Sequence, residues 1–225
     1  MSDNPILVAG MTAAAAFLLH LWWGDLRAAR AGQPRPHAFP GAVPCERQTI
    51  LIAIAGMLIL LGLETGGEAA LGLTEQQKTV TVLWSLYSLA AAFIEELAFR
   101  GYLVVAGRGR ALLWGSIVLF SAVFALFHPF LWEWVNSPEC SHSLAYHLAH
   151  PLQWLQEQGH PAIRLTTKGW FSTAAVFAGS LWLYVLRFSP LNPSRSLLPC
   201  IVAHLVKNLG VFGLKAAAGF VSGWY

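Results

Sequence analysis

The chain has 225 residues, of which 56% are hydrophobic and only 11% are charged, and its formal net charge is +3. An average soluble domain carries about a quarter charged residues, so this composition excludes an ordinary water-soluble fold and indicates a protein embedded in lipid. The basic residues are spread along the chain rather than clustered on one segment, which argues against a nucleic-acid-binding face.

Six apolar segments are long enough to cross or deeply enter a bilayer, for which a helix needs roughly 20 residues. They lack the two-residue alternation of barrel strands, so we predict an all-α polytopic transmembrane bundle of about six spans. Counting interfacial or re-entrant pieces, it has up to eight helices. The predicted spans are about residues 5–23, 47–63, 80–105, 111–130, 170–188 and 197–220.

We treat residues 1–225 as a single membrane domain, with residues 131–169 as an extramembrane or interfacial loop. Within that loop, residues 144–156 form a candidate amphipathic stretch interrupted by Pro151. The first, third and fifth loops hold most arginines, so the positive-inside rule places them in the cytoplasm and both termini outside or in the lumen. The alternate loops collect acidic residues, among them Glu64 and Glu68.

The third span contains the sequence EELAFR, which places Glu95, Glu96 and Arg100 inside one helix. Burying a carboxylate in a bilayer costs at least about 2.5 kcal/mol, so two adjacent ones need a reason. Glu96 and Arg100 are four residues apart and should pair, which leaves Glu95 free to face a polar cavity and accept a proton. A purely architectural ion cluster is the alternative interpretation.

Two further spans carry histidines that could meet these acids. Phe124 and His128 share one face of the fourth helix in FALFH, although His128 is also explained as a histidine at the membrane interface. His204 and Asn208 share one face of the sixth helix in HLVKN, where hydrogen bonding between helices is the simpler alternative.

Together, EELAFR, FALFH and HLVKN resemble the three motifs of the CPBP family, the CAAX protease and bacteriocin-processing family of glutamate-type intramembrane proteases, which includes relatives of the type II CAAX prenyl endopeptidases. The resemblance covers residues 80–214 as a catalytic core. It implies that Glu95 with His128 activates the attacking water, and that His204 with Asn208 stabilises the oxyanion. The supporting residues that it implies are Glu96, Arg100 and Phe124.

The resemblance further implies an endopeptidase that needs no cofactor and acts in a bilayer on a peptide or protein substrate. That substrate could be a prenylated protein, a peptide precursor or a protein that carries a C-terminal sorting segment; no nucleic acid is expected as a partner. We expect a multi-pass protein of the cell's inner, cytoplasmic membrane.

Metal binding is a weaker interpretation of the same residues. A glutamate with two histidines resembles a zinc ligand set, but the HExxH signature is absent, so we expect no metal. Three cysteines without CxxC spacing, Cys45, Cys140 and Cys200, give no zinc knuckle. The long loop also holds ligand-type residues whose spacing fits no standard site, namely Cys140, His142, His147, His150 and His160.

One expectation conflicts with a shared site. At about 1.5 Å per residue, straight perpendicular helices would place Glu95, His128 and His204 at different depths in the bilayer. Tilted helices, a third helix that ends before Val105, or a sixth that begins earlier would reduce this mismatch.

Two other function classes remain open at the level of sequence. A membrane immunity or chaperone-like protein could use the same polar interior to bind a peptide without cleaving it. A metal-dependent membrane hydrolase or a metal transporter is the other alternative.

Overall fold

A computed structural model describes residues 5–135 and 160–224 of the chain. Six helices in these ranges are long and apolar enough to cross a membrane, which confirms the predicted polytopic helical bundle. The helices are α1 (Pro5–Arg30), α2 (Arg47–Ala70), α3 (Val82–Glu95), α4 (Arg110–Phe127), α5 (Thr167–Phe188) and α6 (Leu198–Ala217). A 3-10 turn at Thr74–Gln76 precedes α3, and α3 continues directly into a π-helical segment, Glu96–Tyr102.

Local signals in the sequence explain where several helices begin. The Thr81 hydroxyl accepts a hydrogen bond from the Trp84 amide at 3.1 Å and so caps α3. Thr166 caps α5 in the same way, by accepting from the Gly169 amide at 2.9 Å. Pro199 lies in the first turn of α6, where its missing N–H costs no helical hydrogen bond.

The first two helices are longer than their predicted spans and end at Arg30 and Ala70. The sequence-based assignment of Glu64 and Glu68 to a loop is therefore wrong, since both lie within α2. The predicted second span ends where the apolar run ends, whereas α2 continues through polar residues that have partners in the fold. Glu68 pairs with Lys168 and accepts a hydrogen bond from Gln77 at 2.5 Å.

The helices pack so that α3 lies between α1 and α6, while α2 packs on α5 and α6 and α4 packs on α5. Close approach of α2 and α5 requires a glycine at position 56, because a Cβ there would lie 2.3 Å from the Trp182 ring. The buried core draws on α1, α2, α3, α5 and α6, with Trp22, Met57, Phe93, Leu183 and Ile201 among its members.

Two loops that carry predicted cytoplasmic arginines contact each other at one end of the bundle. The Leu197 amide donates to the Gly41 carbonyl at 2.9 Å, and the Ser196 hydroxyl donates to the Val43 carbonyl at 2.6 Å. The buried Asn192 side chain bonds both main-chain groups of Ser196. The loop between α1 and α2 and the loop between α5 and α6 therefore form one packed layer.

Extended segments make further contacts in the described ranges. β1 (Trp132–Val135) pairs antiparallel with β2 (His160–Ile163), and a parallel bridge joins Val80 to Val221 just before α3. The loop predicted at residues 131–169 thus begins with a strand and contains its partner. Residues 136–159 lie outside the described ranges, and with them lie the predicted amphipathic stretch and four of the ligand-type side chains, Cys140, His142, His147 and His150.

Candidate active site

The motif glutamates lie where α3 changes from α-helical to π-helical geometry. Glu95 is the last residue of α3, and the π-helical segment begins at Glu96. The Tyr184 hydroxyl of α5 lies 2.7 Å from the Phe99 carbonyl oxygen and 2.9 Å from that of Leu103, so it can donate to either. Wide turns of this kind leave carbonyls without regular helical partners and are frequent at functional sites.

Glu96 is completely buried and is engaged by two cationic or donor side chains. Its Oε1 lies 3.0 Å from Nη1 of Arg100, which confirms the contact that the four-residue spacing predicts. The same oxygen lies 2.7 Å from Nδ1 of His204 on α6. Glu96 therefore links the third and sixth helices.

Arg100 is also completely buried, and aromatic rings cover its guanidinium. The guanidinium carbon lies 4.5 Å from the Phe124 ring centroid and 5.0 Å from that of Tyr184. The contact with Glu96 is an ion pair without hydrogen-bond alignment, since no Arg100 side-chain nitrogen has a hydrogen-bond partner among the described residues. Charge and cation–π attraction thus hold this side chain.

His204 meets both glutamates. A carboxylate only accepts hydrogen bonds, so the 2.7 Å contact with Glu96 identifies Nδ1 as the protonated nitrogen of the ring. The other ring nitrogen, Nε2, lies 3.8 Å from Oε2 of Glu95. The side chain of Glu95 is 30% exposed, whereas that of Glu96 is 0% exposed.

His128 follows directly after α4, which ends at Phe127 and not at Phe130 as predicted. Its Nδ1 lies 2.9 Å from the Phe124 carbonyl oxygen, an acceptor, so Nδ1 carries the hydrogen and Nε2 is the basic nitrogen. The His128 ring packs against the Phe124 ring at 4.7 Å between centroids. The Phe124 ring also lies 6.3 Å from the His204 ring, so both histidines pack against the same aromatic side chain.

Asn208 contacts α3 one turn along α6 from His204. Its side-chain amide donates a hydrogen bond to the Ser88 carbonyl at 2.9 Å. An asparagine amide has two N–H donors, so one remains for another acceptor. The contact fixes the amide against α3.

Side chains of the three motifs therefore converge, although straight perpendicular helices would have separated them. Of the two changes in helix ends that would reduce the mismatch, one is seen: the third span, with its π-helical segment, ends at Tyr102 before Val105, whereas the sixth helix begins at Leu198 and not earlier than predicted. Phe124 completes the convergence, since its ring lies 6.3 Å from the His204 ring and 4.9 Å from the Phe99 ring.

Sequence reasoning missed three participants. Tyr184 takes part through its hydroxyl and Ser88 through its main-chain carbonyl, and neither contact can be recognised from a sequence motif. Lys207 forms an ion pair with Glu64 at 3.2 Å. A lysine inside an apolar span was a usable signal for this pair, but Glu64 had been assigned to a loop.

The acceptor contacts at this site fix which ring nitrogens remain available. Oε1 of Glu96 is shared by Arg100 and His204, and Nδ1 of both histidines faces an acceptor, which leaves Nε2 of each ring for another partner. Within the described ranges, no group of three His, Cys, Asp or Glu side chains is arranged to hold a metal ion.

Comparison with known proteins bears on the same region. The family model described as Type II CAAX prenyl endopeptidase Rce1-like matches residues 77–210, which is more than half of the chain and includes all three motifs. No curated protein and no solved structure matches the chain. The chain therefore belongs to the Rce1-like type II CAAX prenyl endopeptidases, a family of membrane-embedded proteases, and it is a multi-pass integral membrane protein.

Proposed function

We propose that the chain is an intramembrane endopeptidase that hydrolyses a peptide bond in a membrane-associated, lipid-modified or sorting-tagged protein. The proposal rests on one observation: two adjacent glutamates beside the same histidine differ in burial and in their contacts. Glu96 is buried and contacts both Arg100 and His204 through Oε1, while Glu95 is partly exposed beside Nε2 of His204. Only Glu95 is free to exchange a proton with water.

Glu95 and His128 are the proposed pair that activates the attacking water. The Glu95 carboxylate takes a proton as the water oxygen attacks the carbonyl carbon, and it returns that proton to the leaving amine when the tetrahedral intermediate collapses. The bond between Nδ1 of His128 and the Phe124 carbonyl leaves Nε2 to accept a hydrogen bond from the same water. The two groups thus orient the nucleophile before attack.

His204 and Asn208 are the proposed donors to the oxyanion. Asn208 has a second N–H beyond the one on the Ser88 carbonyl. When His204 is protonated on both nitrogens, Nδ1–H stays on Glu96 and Nε2–H can donate to the oxyanion. Each preorganised donor of this kind is worth about 2.7–4 kcal/mol in the transition state.

Glu96 and Arg100 are proposed as positioning residues. Glu96 holds the His204 ring in one orientation through Nδ1, and Arg100 compensates the charge of Glu96 in a fully buried environment. Phe124 supports both sides of the site, because its ring covers Arg100 and contacts His128. The proposed catalytic core is residues 80–214, and the proposed location is the cell's inner membrane.

The decisive variant is Glu95→Gln, which keeps the side-chain shape and removes the base. We expect cleavage to fall by about 10²- to 10⁴-fold, as for other general bases, while the protein remains inserted and expressed. Mass spectrometry of membrane-protein termini, compared between cells that make the wild type and the variant, identifies the cleaved protein and measures the loss.

Glu133→Gln is the matched control, because Glu133 on β1 is an exposed carboxylate that pairs with Arg164 and lies outside the motifs. It should cleave at the wild-type rate. Normal processing by Glu95→Gln would overturn the proposal, and rescue of a deletion by that inactive variant would favour a peptide-binding role.

A further inference from the structure

The strand β1 begins close to the proposed catalytic histidine and is held in place beside it. Trp132 lies four residues after His128, so the start of β1 is within about 14 Å of chain from that residue. The Phe130 ring stacks on the His128 ring at 5.9 Å between centroids, and the Trp132 indole donates to the Leu126 carbonyl at 3.0 Å. These contacts join β1 to the end of α4.

The segment that leads into β1 is also packed against α5. The Phe130 carbonyl oxygen lies so close to Gly169, in the first turn of α5, that a Cβ on that residue would approach it to 2.3 Å. Any side chain at position 169 would therefore displace this segment. The glycine keeps β1 next to α5.

The register of the two-stranded sheet shows which main-chain groups of β1 are left over. The Arg164 amide donates to the Leu131 carbonyl at 2.8 Å, directly before the first residue pair of the sheet. Hydrogen-bonded and non-hydrogen-bonded pairs alternate along an antiparallel ladder. The N–H and C=O groups of Trp132 and Trp134 therefore point away from β2.

The two outer edges of this sheet differ. On β2, the outward positions include Pro161, opposite Trp134, and a proline has no N–H to offer a further strand. On β1, both outward residues keep a donor and an acceptor, and in the described ranges neither residue makes a main-chain hydrogen bond to a segment beyond the sheet. The outer edge of β1 is thus open, as strand addition requires.

Peptide hydrolysis in a membrane creates a need for such an edge. A helical substrate encloses its peptide groups in internal hydrogen bonds, so the segment around the cleaved bond has to become extended. Extended main-chain groups away from bulk water need new partners. Trp132 and Trp134 each offer one donor and one acceptor, at the two-residue repeat of a strand.

We propose that the substrate adds to the outer edge of β1 as a third strand, with its main chain paired to Trp132 and Trp134. This inference rests on the proposed endopeptidase function and adds the conformation in which the substrate is held. Because Trp132 is four residues from His128, the paired residues of the substrate lie about four positions from the cleaved bond. Main-chain pairing makes few demands on side-chain identity at those positions.

N-methylation of a peptide probe tests the pairing. The probe is a farnesylated C-a-a-X peptide with about eight residues before its cysteine, since only that side is long enough to pair with a four-residue strand. These residues are N-methylated one at a time, and affinity for the purified Glu95→Gln protein is measured by fluorescence anisotropy in detergent micelles. We expect a loss of about tenfold at alternate residues only, because every second N–H of a strand faces its partner.

Variants of β1 test which edge is used. Added to the Glu95→Gln protein, Trp134→Pro removes the outward N–H without removing a donor to β2, and proline is tolerated at such edge positions. Trp134→Ala is the matched control, because it loses the same side chain and keeps the N–H. We expect the unmethylated probe to bind Trp134→Pro about tenfold more weakly than Trp134→Ala. Glu133→Gln should not alter binding, because the main chain of Glu133 faces β2.

Uniform losses along the probe, no loss, or no binding would overturn the inference. Alternating losses with equal affinities of Trp134→Pro and Trp134→Ala would also overturn it, because the strand would then be added elsewhere. Hydrolysis of the probe by the wild-type protein is followed separately. Alternating losses that depend on the N–H of residue 134, without hydrolysis, would contradict the proposed function alone, whereas hydrolysis without alternation would contradict only the strand addition.

Discussion

The two sides of the site differ although they begin from adjacent, chemically identical residues. On the Glu96 side, an acid, a guanidinium and an imidazole are packed together without exposed surface on either charged partner. On the Glu95 side, the carboxylate is 30% exposed and lies 3.8 Å from the nearest imidazole nitrogen. A rotation of about 100° along one helix thus separates a buried acid from the accessible one that we propose as the base.

This contrast shows two ways in which a membrane protein can accommodate a carboxylate that is costly to bury. On the Glu96 side, the carboxylate is paired with the Arg100 guanidinium and contacts Nδ1 of His204, which orients that ring. The Glu95 side leaves its charge partly unmatched and accessible, as a proton acceptor requires. The proposed mechanism needs both sides, because it uses Glu95 as the base and the oriented His204 as an oxyanion donor.

Substituting each glutamate in turn is the strongest test of the difference between the two sides of the site. Glu96→Gln should lower the free energy of unfolding by about 3–5 kcal/mol, because it leaves the buried Arg100 charge uncompensated. The matched Glu95→Gln should change it by about 1 kcal/mol or less. Equilibrium unfolding in mixed micelles measures both values, and equal destabilisation by the two variants would contradict the proposed division.

The variant Asn208→Ala tests the proposed role of Asn208 as a donor to the oxyanion. We expect kcat to fall by about 10²- to 10³-fold with little change in KM, because the donor acts on charge that develops in the transition state. Ser88→Ala is the control, since Asn208 bonds the main-chain carbonyl of Ser88, which that change retains. A rise in KM with kcat unchanged would assign Asn208 to substrate binding instead.

The smallest expected effect concerns the π-helical segment that carries Arg100. Tyr184→Phe removes the hydroxyl that contacts the carbonyls of Phe99 and Leu103, and it should destabilise the fold by about 1–3 kcal/mol. Tyr102→Phe is the control, because Tyr102 is 60% exposed and should change stability by less than about 0.5 kcal/mol. Unchanged stability in Tyr184→Phe would mean that the segment does not depend on this contact.

Much of the fold could be predicted from the sequence because a lipid bilayer restricts which segments can cross it. Each span must be apolar and must satisfy its own main-chain groups, so hydropathy alone identifies six helices. The ends of α1 and α2 could not be predicted in this way. Their last turns are polar and persist through contacts such as that between Glu68 and Lys168, which come from distant parts of the chain.

The same distinction between local and distant contacts applies to the candidate site. Spacing within one helix predicted the ion pair of Glu96 with Arg100, because four residues fix two side chains on one face. Spacing could not predict that His204 bonds Glu96 more closely than Glu95, or that Lys207 meets Glu64. Both contacts depend on the rotation and offset of separate helices.

Apolar length and local helical spacing are properties of consecutive residues, so they suffice to predict a helical membrane protein and to identify candidate side chains for hydrolytic chemistry. Packing between helices settles which glutamate is enclosed and which is accessible, and which acid pairs with Lys207. Those outcomes depend on how α2, α3, α5 and α6 pack, because burial is defined by neighbours that the local sequence does not contain.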